Sequence, residues 1–242
     1  FTLLARDPNS VDEARELLGR YAETYPDSVL ALAAMQGELA LGLVGPGGVE
    51  AAEASLAEAR RALPERAAGP LDAVAARLAL FAGLKDSVAA RAGRSAAQDE
   101  LEADERTRRL QLLTLAQVAD SAELALAGRA ALELYRSPRA FDPGATLGAL
   151  AGLPDGPGRP VVLAFLADRA EAAGRTEVAS ALRRRIVEVY PTSAEAPPAL
   201  LDLARSAGPE EAAGWLERLV IEHPESALAP MARRLLDELR GG

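Results

Sequence analysis

The apolar residues of this chain are spaced for helices, and three segments repeat the same spacing. Each segment starts with an alanine and carries larger side chains at the third, seventh and eleventh positions after it. These steps of three and four residues place the side chains on one face of a helix. A proline follows at once, a serine stands two positions after the proline, and an alanine ends the pattern. The three segments consist of Ala14, Leu17, Tyr21, Tyr25, Pro26, Ser28 and Ala31; of Ala179, Leu182, Ile186, Tyr190, Pro191, Ser193 and Ala196; and of Ala212, Trp215, Leu219, His223, Pro224, Ser226 and Ala229.

The end of each segment predicts a turn into a second helix. The proline stops the first helix because it drives the preceding residue out of the α region. The serine is then placed to cap the next helix by accepting one of its free N–H groups. The final alanine is small enough for two helices to cross closely. We therefore expect Tyr25, Tyr190 and His223 at equivalent and mostly buried helix ends.

Two residues of the third segment replace members of the shared pattern. Trp215 stands where the other segments have Leu17 and Leu182, so we expect it in the core. His223 is the one histidine of the chain and stands where the others have tyrosine, so we expect a packing residue and not a ligand. The expected core partners of the tryptophan are Ala212, Leu219, Leu228 and Met231.

The three segments resemble a known family of repeats. The second and third are 33 residues apart, close to the period of about 34 residues in tetratricopeptide repeats. The Tyr-Pro-x-Ser units resemble those of tetratricopeptide-like proteins of the bacterial envelope, over about residues 10–43 and 161–242. The resemblance implies an all-α fold, an α-solenoid of helix-turn-helix repeats wound as a right-handed superhelix. It also implies a non-catalytic protein–protein interaction scaffold, in a complex of the bacterial periplasm or cell envelope, with the cytoplasm as the alternative.

The pattern divides the chain into three parts. Residues 1–136 are expected to form a helical array with degenerate repeats, 137–160 a Pro/Gly-rich linker or long loop, and 161–242 the clear repeats with a capping helix. Capping boxes that start at Ser10 and Ser95 are expected to open two helices, and the glycines around Pro46 are expected to break one. Helices are predicted over about 10–24, 28–43, 49–63, 70–82, 95–118, 121–135, 144–152, 161–173, 176–189, 197–206, 210–222 and 227–239.

Composition narrows the fold and the possible partners. Of the 242 residues, 49% are hydrophobic but only 4% aromatic, and alanine, the best helix former, makes up the difference. Strand formers are correspondingly scarce, which argues against an all-β fold. The formal charge of −9 disfavours nucleic acid and anionic membrane surfaces, since both attract basic proteins. The chain has no apolar run of about 18 residues, so we predict no transmembrane segment.

The sequence offers little chemistry for catalysis. The absence of cysteine removes thiolate metal sites and cysteine nucleophiles. Ser95 lies in a loose nucleophile-elbow pattern, but no strand precedes it and it is better explained as a helix cap. Lys85 is the one lysine and has no motif around it. We therefore predict a non-enzymatic protein with no catalytic, metal-binding or cofactor-binding residue.

Two runs of charge are expected to face solvent. The acids and arginines between Asp99 and Arg109 are four residues apart, which favours ion pairs along a solvent-exposed helix face. The alternative is that this charged face docks a partner. Arg183, Arg184 and Arg185 are expected on the solvent side of their helix. The expected pairs of the first run are Glu102–Arg106, Asp104–Arg108 and Glu105–Arg109.

Two functions fit these features. A repeat array can bind a protein or peptide as a scaffold. The alternative is a structural subunit that self-assembles through stacked repeats into a fibre or larger assembly. The partners expected are proteins or peptides, including copies of the chain itself, and the residues that bind them are not identified by the pattern.

Overall fold

The computed structural model describes residues 2–7, 9–96 and 103–241, and all regular secondary structure within them is helical. The all-α prediction is confirmed for this part of the chain. A 3-10 turn covers Glu65–Ala67. The α-helices are α1 (Thr2–Arg6), α2 (Val11–Thr24), α3 (Val29–Ala62), α4 (Ala68–Phe81), α5 (Lys85–Ala96), α6 (Ala103–Val118), α7 (Ser121–Arg136), α8 (Pro143–Ala151), α9 (Gly158–Ala172), α10 (Thr176–Val189), α11 (Ala196–Ser206), α12 (Pro209–Glu222) and α13 (Ala229–Gly241).

The chain forms two compact units, Phe1–Ser137 (unit 1) and Pro138–Gly242 (unit 2). In unit 2 the helices from α9 to α13 pack each on the next in chain order. Their core consists of fully buried aliphatic side chains such as Leu166, Leu182 and Leu200. In unit 1 the order is less simple, because α4 packs on α3, on α5 and also on α7.

Helix α3 is two helical halves that meet at a kink. Gly48 lies inside it with φ 75° and ψ 179°, a left-handed backbone that glycine adopts without steric cost. The predicted break is therefore present at Gly48. The helix reaches this point beyond the predicted end at residue 43, and its second half continues to Ala62.

Helix α5 was not expected from the sequence. It covers Lys85–Ala96 and packs between α4 and α6. Ser95 lies in its last turn, so the prediction that Ser95 caps the next helix is wrong; Gln98 of that capping box lies outside the described residues. Among residues 85–93, whose burial the structure describes, Val88 and Ala92 are the two fully buried apolar side chains. This stripe is too short to recognise as a helical pattern.

The capping box at Ser10 is also wrong. Ser10 precedes α2, but its hydroxyl donates to Asp7 Oδ2 at 3.1 Å and makes no capping bond to the helix. A complete capping box opens α7 instead. There Asp120 accepts the Glu123 N–H at 2.8 Å, and Glu123 accepts the Asp120 N–H at 2.9 Å. The N-cap of this box is an aspartate, whereas both predicted boxes begin with serine.

The segment 137–160 contains regular structure. Asp142 accepts the Gly144 N–H at 2.8 Å and opens α8, which ends at Ala151. A short irregular stretch follows, and α9 begins at Gly158. Arg159 in the first turn of α9 is buried and donates to Asp155 Oδ1 at 2.6 Å and to the Leu153 carbonyl. The prolines and glycines of this segment thus separate short elements, and Arg159 joins the irregular stretch to the start of α9.

Candidate functional site

The three predicted turns share one backbone geometry. Tyr25, Tyr190 and His223 follow the last residues of α2, α10 and α12 with φ/ψ of −131°/61°, −124°/50° and −131°/54°. In each case the N–H bonds to the carbonyl four residues earlier, at 2.8, 2.8 and 3.0 Å. The prediction that the three residues occupy equivalent helix ends is therefore confirmed.

The expectation that these three side chains are mostly buried is wrong for Tyr25, which is 54% exposed. It is confirmed for Tyr190 and His223, whose side chains are buried over more than half of their surface. Each residue stands one position past the last helical turn, where fewer neighbours cover a side chain. Within the described residues the His223 Nε2 atom is buried without a hydrogen-bond partner, and no group of three or more His, Asp or Glu side chains there could hold a metal ion.

A fourth turn of the same kind ends α7. Ser137 has φ −138° and ψ 62°, its N–H bonds to the Glu133 carbonyl at 2.8 Å, and Pro138 follows it. The sequence motif did not identify this turn, because the motif has Tyr or His before the proline and Ser137 stands there instead. The proline alone was the signal, since it is the proline that forces the preceding residue out of the helix.

The motif serines belong to the turns. Ser28, Ser193 and Ser226 each donate a backbone N–H to the carbonyl of the Tyr or His three residues earlier, at 3.1, 3.0 and 3.0 Å. Ser28 directly precedes α3, yet its side chain makes no capping bond. Ser193 and Ser226 lie three residues ahead of α11 and α13. The predicted capping role is therefore wrong at Ser28 and Ser193. Ser226 does accept a backbone N–H, that of Leu228 at 3.2 Å, directly ahead of α13.

A second proline explains why the later helices start late. Pro197 and Pro230 stand in the first turns of α11 and α13, where a proline is tolerated. A proline has no N–H to donate to the serine carbonyl four residues earlier, so a helix cannot open at Ser193 or Ser226 with the bond that Leu32 makes to Ser28. No proline stands at the matching position after Ser28, so α3 starts at once. As a result Ala31 is exposed, whereas the matching alanines of the other two segments, Ala196 and Ala229, are fully buried.

The buried faces of α2 and α12 are shifted slightly from the predicted stripe, whereas α10 keeps its stripe and also buries Arg183 beside it. Leu17, Tyr21 and Trp215 are half-buried. The positions one residue after Leu17, Leu182 and Trp215 are buried in all three helices, and they hold Leu18, Arg183 and Leu216. The stripe members that are buried as predicted are Ala14, Ala179, Leu182, Ile186, Ala212 and Leu219.

Arg183 takes a position at which the other two helices carry leucine, and it is 4% exposed. Its Nη2 lies 3.2 Å from Asp168 Oδ1 and 2.5 Å from Glu171 Oε2, both on α9, and 3.4 Å from Asp202 Oδ2 on α11. We call these four residues the Arg183 hub. The expectation that Arg183 lies on the solvent side of its helix is wrong. Its side chain is buried, and its charge is paired with carboxylates of α9 and α11.

In the Arg183 hub, attraction between the arginine and the carboxylates opposes the unfavourable removal of these charges from water. Burial raises the pKa of Asp168 above its ordinary value, although the charge of Arg183 and its hydrogen bond oppose that rise. Burial alone would lower the pKa of Arg183, but the Glu171 hydrogen bond and the three carboxylates outweigh it and raise this pKa. Arg183 therefore remains a cation, and folding disfavours the charged form of Asp168.

Asp168→Asn tests this balance. A carboxyl whose pKa is raised by folding opposes folding while it is ionised, and the cost disappears as the pH falls through the raised pKa. The asparagine keeps an oxygen to accept from Arg183 and has no charge to desolvate. We expect the variant to be as stable as the unchanged protein or more stable near neutral pH, with the difference shrinking on acidification. Urea unfolding at several values from about pH 7 to about pH 4 measures it, and a difference that grows with acidification would contradict it.

A polar seam joins α10 to α12 beside the hub. Arg184 Nη2 lies 2.9 Å from Glu211 Oε1, which also accepts from Trp215 Nε1 at 3.2 Å. The guanidinium of Arg218 lies 5.4 Å from the centre of the Trp215 ring. Arg218 also donates to the Val187 carbonyl at 3.3 Å. Each of these contacts either crosses between the two helices or orients a side chain that does.

Trp215 is part of this seam and is not the core residue that we expected. Its side chain is half-buried, with its N–H and one ring face engaged by polar groups. The core position next to it is filled by Leu216, which is 2% exposed.

Alanine substitutions at these two neighbours are expected to separate the seam from the core. Trp215→Ala should cost less than the range of about 3–5 kcal/mol typical of a fully buried tryptophan. Leu216→Ala should cost more than Trp215→Ala in spite of its smaller size, within about 2–5 kcal/mol. Urea unfolding followed by circular dichroism measures both. A larger loss of stability in Trp215→Ala than in Leu216→Ala would mean that Trp215 is a core residue.

Two further charged residues bind backbone carbonyls in unit 1. Arg109 is 1% exposed and donates to the Gly69 carbonyl at 2.9 Å, so the expectation of a fully solvated charged face fails at this position. The first three acids of that run, Asp99, Glu100 and Glu102, lie outside the described residues. The pairs predicted for Glu102, Asp104 and Glu105 stay predictions. Lys85 donates to the Ala119 carbonyl at 2.5 Å and thereby satisfies an acceptor just past the end of α6.

No family model, curated protein or solved structure matches the chain. None of the helices in the described part of the chain combines the length and apolar character needed to cross a bilayer. The described part of the chain combines repeated X-Pro helix ends, the Arg183 hub and the seam around Trp215.

Proposed function

We propose that the chain is a non-catalytic protein–protein interaction scaffold, built as an α-solenoid of tetratricopeptide-like repeats with a right-handed superhelix. The observation that carries the proposal is the repetition in unit 2. The helices from α9 to α13 pack each on the next, and α10 and α12 end in the same turn 33 residues apart. Arrays in which each repeat contacts its neighbours present extended surfaces to other proteins.

The use of the charged side chains supports binding over catalysis. Arg183, Arg184 and Arg218 each bond to a carboxylate or a carbonyl of an adjacent helix. These groups fix the packing of helices and so hold a surface in shape. The partner class that fits such a surface is a protein or a peptide.

The proposed setting is a complex of the bacterial periplasm or cell envelope. Its support is the resemblance of the Tyr-Pro-x-Ser units to those of envelope proteins. A cytoplasmic scaffold is the alternative, and fractionation of the source cells with an antibody to the chain distinguishes the two.

Site-specific photo-cross-linking in the source cells tests the scaffold function. A photoreactive residue is placed at exposed positions spread over unit 2, such as Pro198, Ser206 and Ile221. We expect a discrete adduct with another protein from one group of positions and none from the rest. Absence of adducts at every position, or equal adducts at all of them, would contradict the proposal. An adduct of two copies of the 25.3 kDa chain would favour the self-assembling structural subunit instead.

A further inference from the structure

Two successive layers of unit 2 fill the same packing position in different ways. The first layer consists of α9, α10 and the facing helix α11, and the second of α11, α12 and the facing helix α13. The shift of 33 residues that relates Tyr190 to His223 also relates Arg183 to Leu216. Both side chains are buried, with exposures of 4% and 2%.

The same shift turns every carboxylate of the hub into an apolar residue. Asp168 Oδ1, Glu171 Oε2 and Asp202 Oδ2 surround Arg183 in the first layer. In the second layer two of the matching residues are buried and the third is half-buried. All four members therefore change together, from a charged set to an apolar set. The matching pairs are Asp168 and Leu201, Glu171 and Ala204, and Asp202 and Leu235.

We propose that the Arg183 hub is a stacking lock, which makes the two layers of unit 2 non-interchangeable and so fixes the order in which their helices dock. Repeats that end in the same turn and bury the same face could otherwise shift by one repeat, or exchange helices between two copies of the chain. The lock acts by penalising the wrong partners. A specific interface gains much of its selectivity from such penalties.

The penalty follows from the geometry of the hub. If α12 docked in the place of α10, Leu216 would meet three carboxylates that have lost their cation. If α10 docked in the place of α12, Arg183 would enter an apolar site with no carboxylate. A buried charge without its partner is strongly unfavourable, whereas a fully matched set, charged or apolar, is tolerated. Order is thus enforced without requiring that the hub add stability.

A variant that copies the second layer into the first tests the lock. It carries Asp168→Leu, Glu171→Ala, Arg183→Leu and Asp202→Leu. Because a matched apolar set replaces a matched charged set, we expect the variant to keep its helical circular dichroism and a cooperative unfolding transition. We also expect size-exclusion chromatography with light scattering to show dimers or larger species beyond those of the unchanged chain. Hydrogen exchange should rise in α10 to α13.

A second variant separates lost order from added apolar surface. It carries the same four changes together with Leu201→Asp, Ala204→Glu, Leu216→Arg and Leu235→Asp, so that the layers differ again with the charges in the second. We expect it to return to the mass distribution of the unchanged chain. Three results would overturn the proposal: a first variant with the unchanged mass distribution and exchange, a first variant that does not fold, or oligomers in both variants.

Discussion

Arg183→Leu is expected to destabilise unit 2 by about 3 kcal/mol, although leucine is the residue that the equivalent positions Leu18 and Leu216 carry. Removal of one partner from a buried ion pair costs about 3–5 kcal/mol, because the remaining charge is left uncompensated. Here three carboxylates lose their cation, and their side chains are 32–52% exposed. Partial hydration of these carboxylates places the expected loss at the lower end of the range. Urea unfolding followed by far-UV circular dichroism measures it.

Arg185→Leu is the matched control for this change. Arg185 lies two residues further along α10 and is exposed, so the same chemical change should alter the unfolding free energy by no more than about 0.5 kcal/mol. Equal effects of the two substitutions would mean that the position of Arg183 has no special weight. A stability gain in Arg183→Leu would show that the carboxylates need no cation.

Gly128→Ala is expected to destabilise unit 1 by about 1–3 kcal/mol or more, the range for overpacking a tight contact. Helix α7 crosses α4 so closely that a Cβ atom at Gly128 would stand 2.0 Å from the Leu80 carbonyl oxygen. The obstacle is backbone, so no side chain can rotate away and the two helices must separate. Thermal unfolding monitored at a helical wavelength measures the loss.

Gly93→Ala supplies the control in the same unit. A Cβ atom at Gly93 meets nothing within 4 Å, and the position lies inside α5. Alanine should therefore stabilise the helix by about 0.5–1 kcal/mol. Gly128→Ala with the stability of the unchanged protein would show that the crossing is looser than the structure has it.

The helices of unit 2 could be predicted closely because their signals are local. Helix α10 was expected over 176–189 and covers Thr176–Val189. A proline directly after Tyr190 or His223 restricts the residue before it, and this restriction acts through neighbouring atoms of the chain alone. The same rule holds at Ser137, where the side chain gave no hint but the proline was present.

The errors arose where a side chain had alternatives that only its neighbours decide. Ser10 could have capped α2, but Asp7 was close enough to accept its hydroxyl. Trp215 lay on the predicted apolar face, but its N–H donates to Glu211 and its ring contacts the guanidinium of Arg218. A serine or tryptophan in a sequence carries both options, and the choice depends on which partner the fold brings within reach.

The sequence by itself determined the all-helical class, the ends of the motif helices and their equivalence, because alanine content, three-four spacing and proline act within a few residues of chain. Only the tertiary structure decided what each helix face meets. The run Arg183-Arg184-Arg185 shows the difference. One guanidinium is buried among carboxylates from α9 and α11, the next pairs with Glu211 of α12, and the third is exposed. Three identical side chains in a row differ in this way because partners distant in sequence determine where a buried charge is stable.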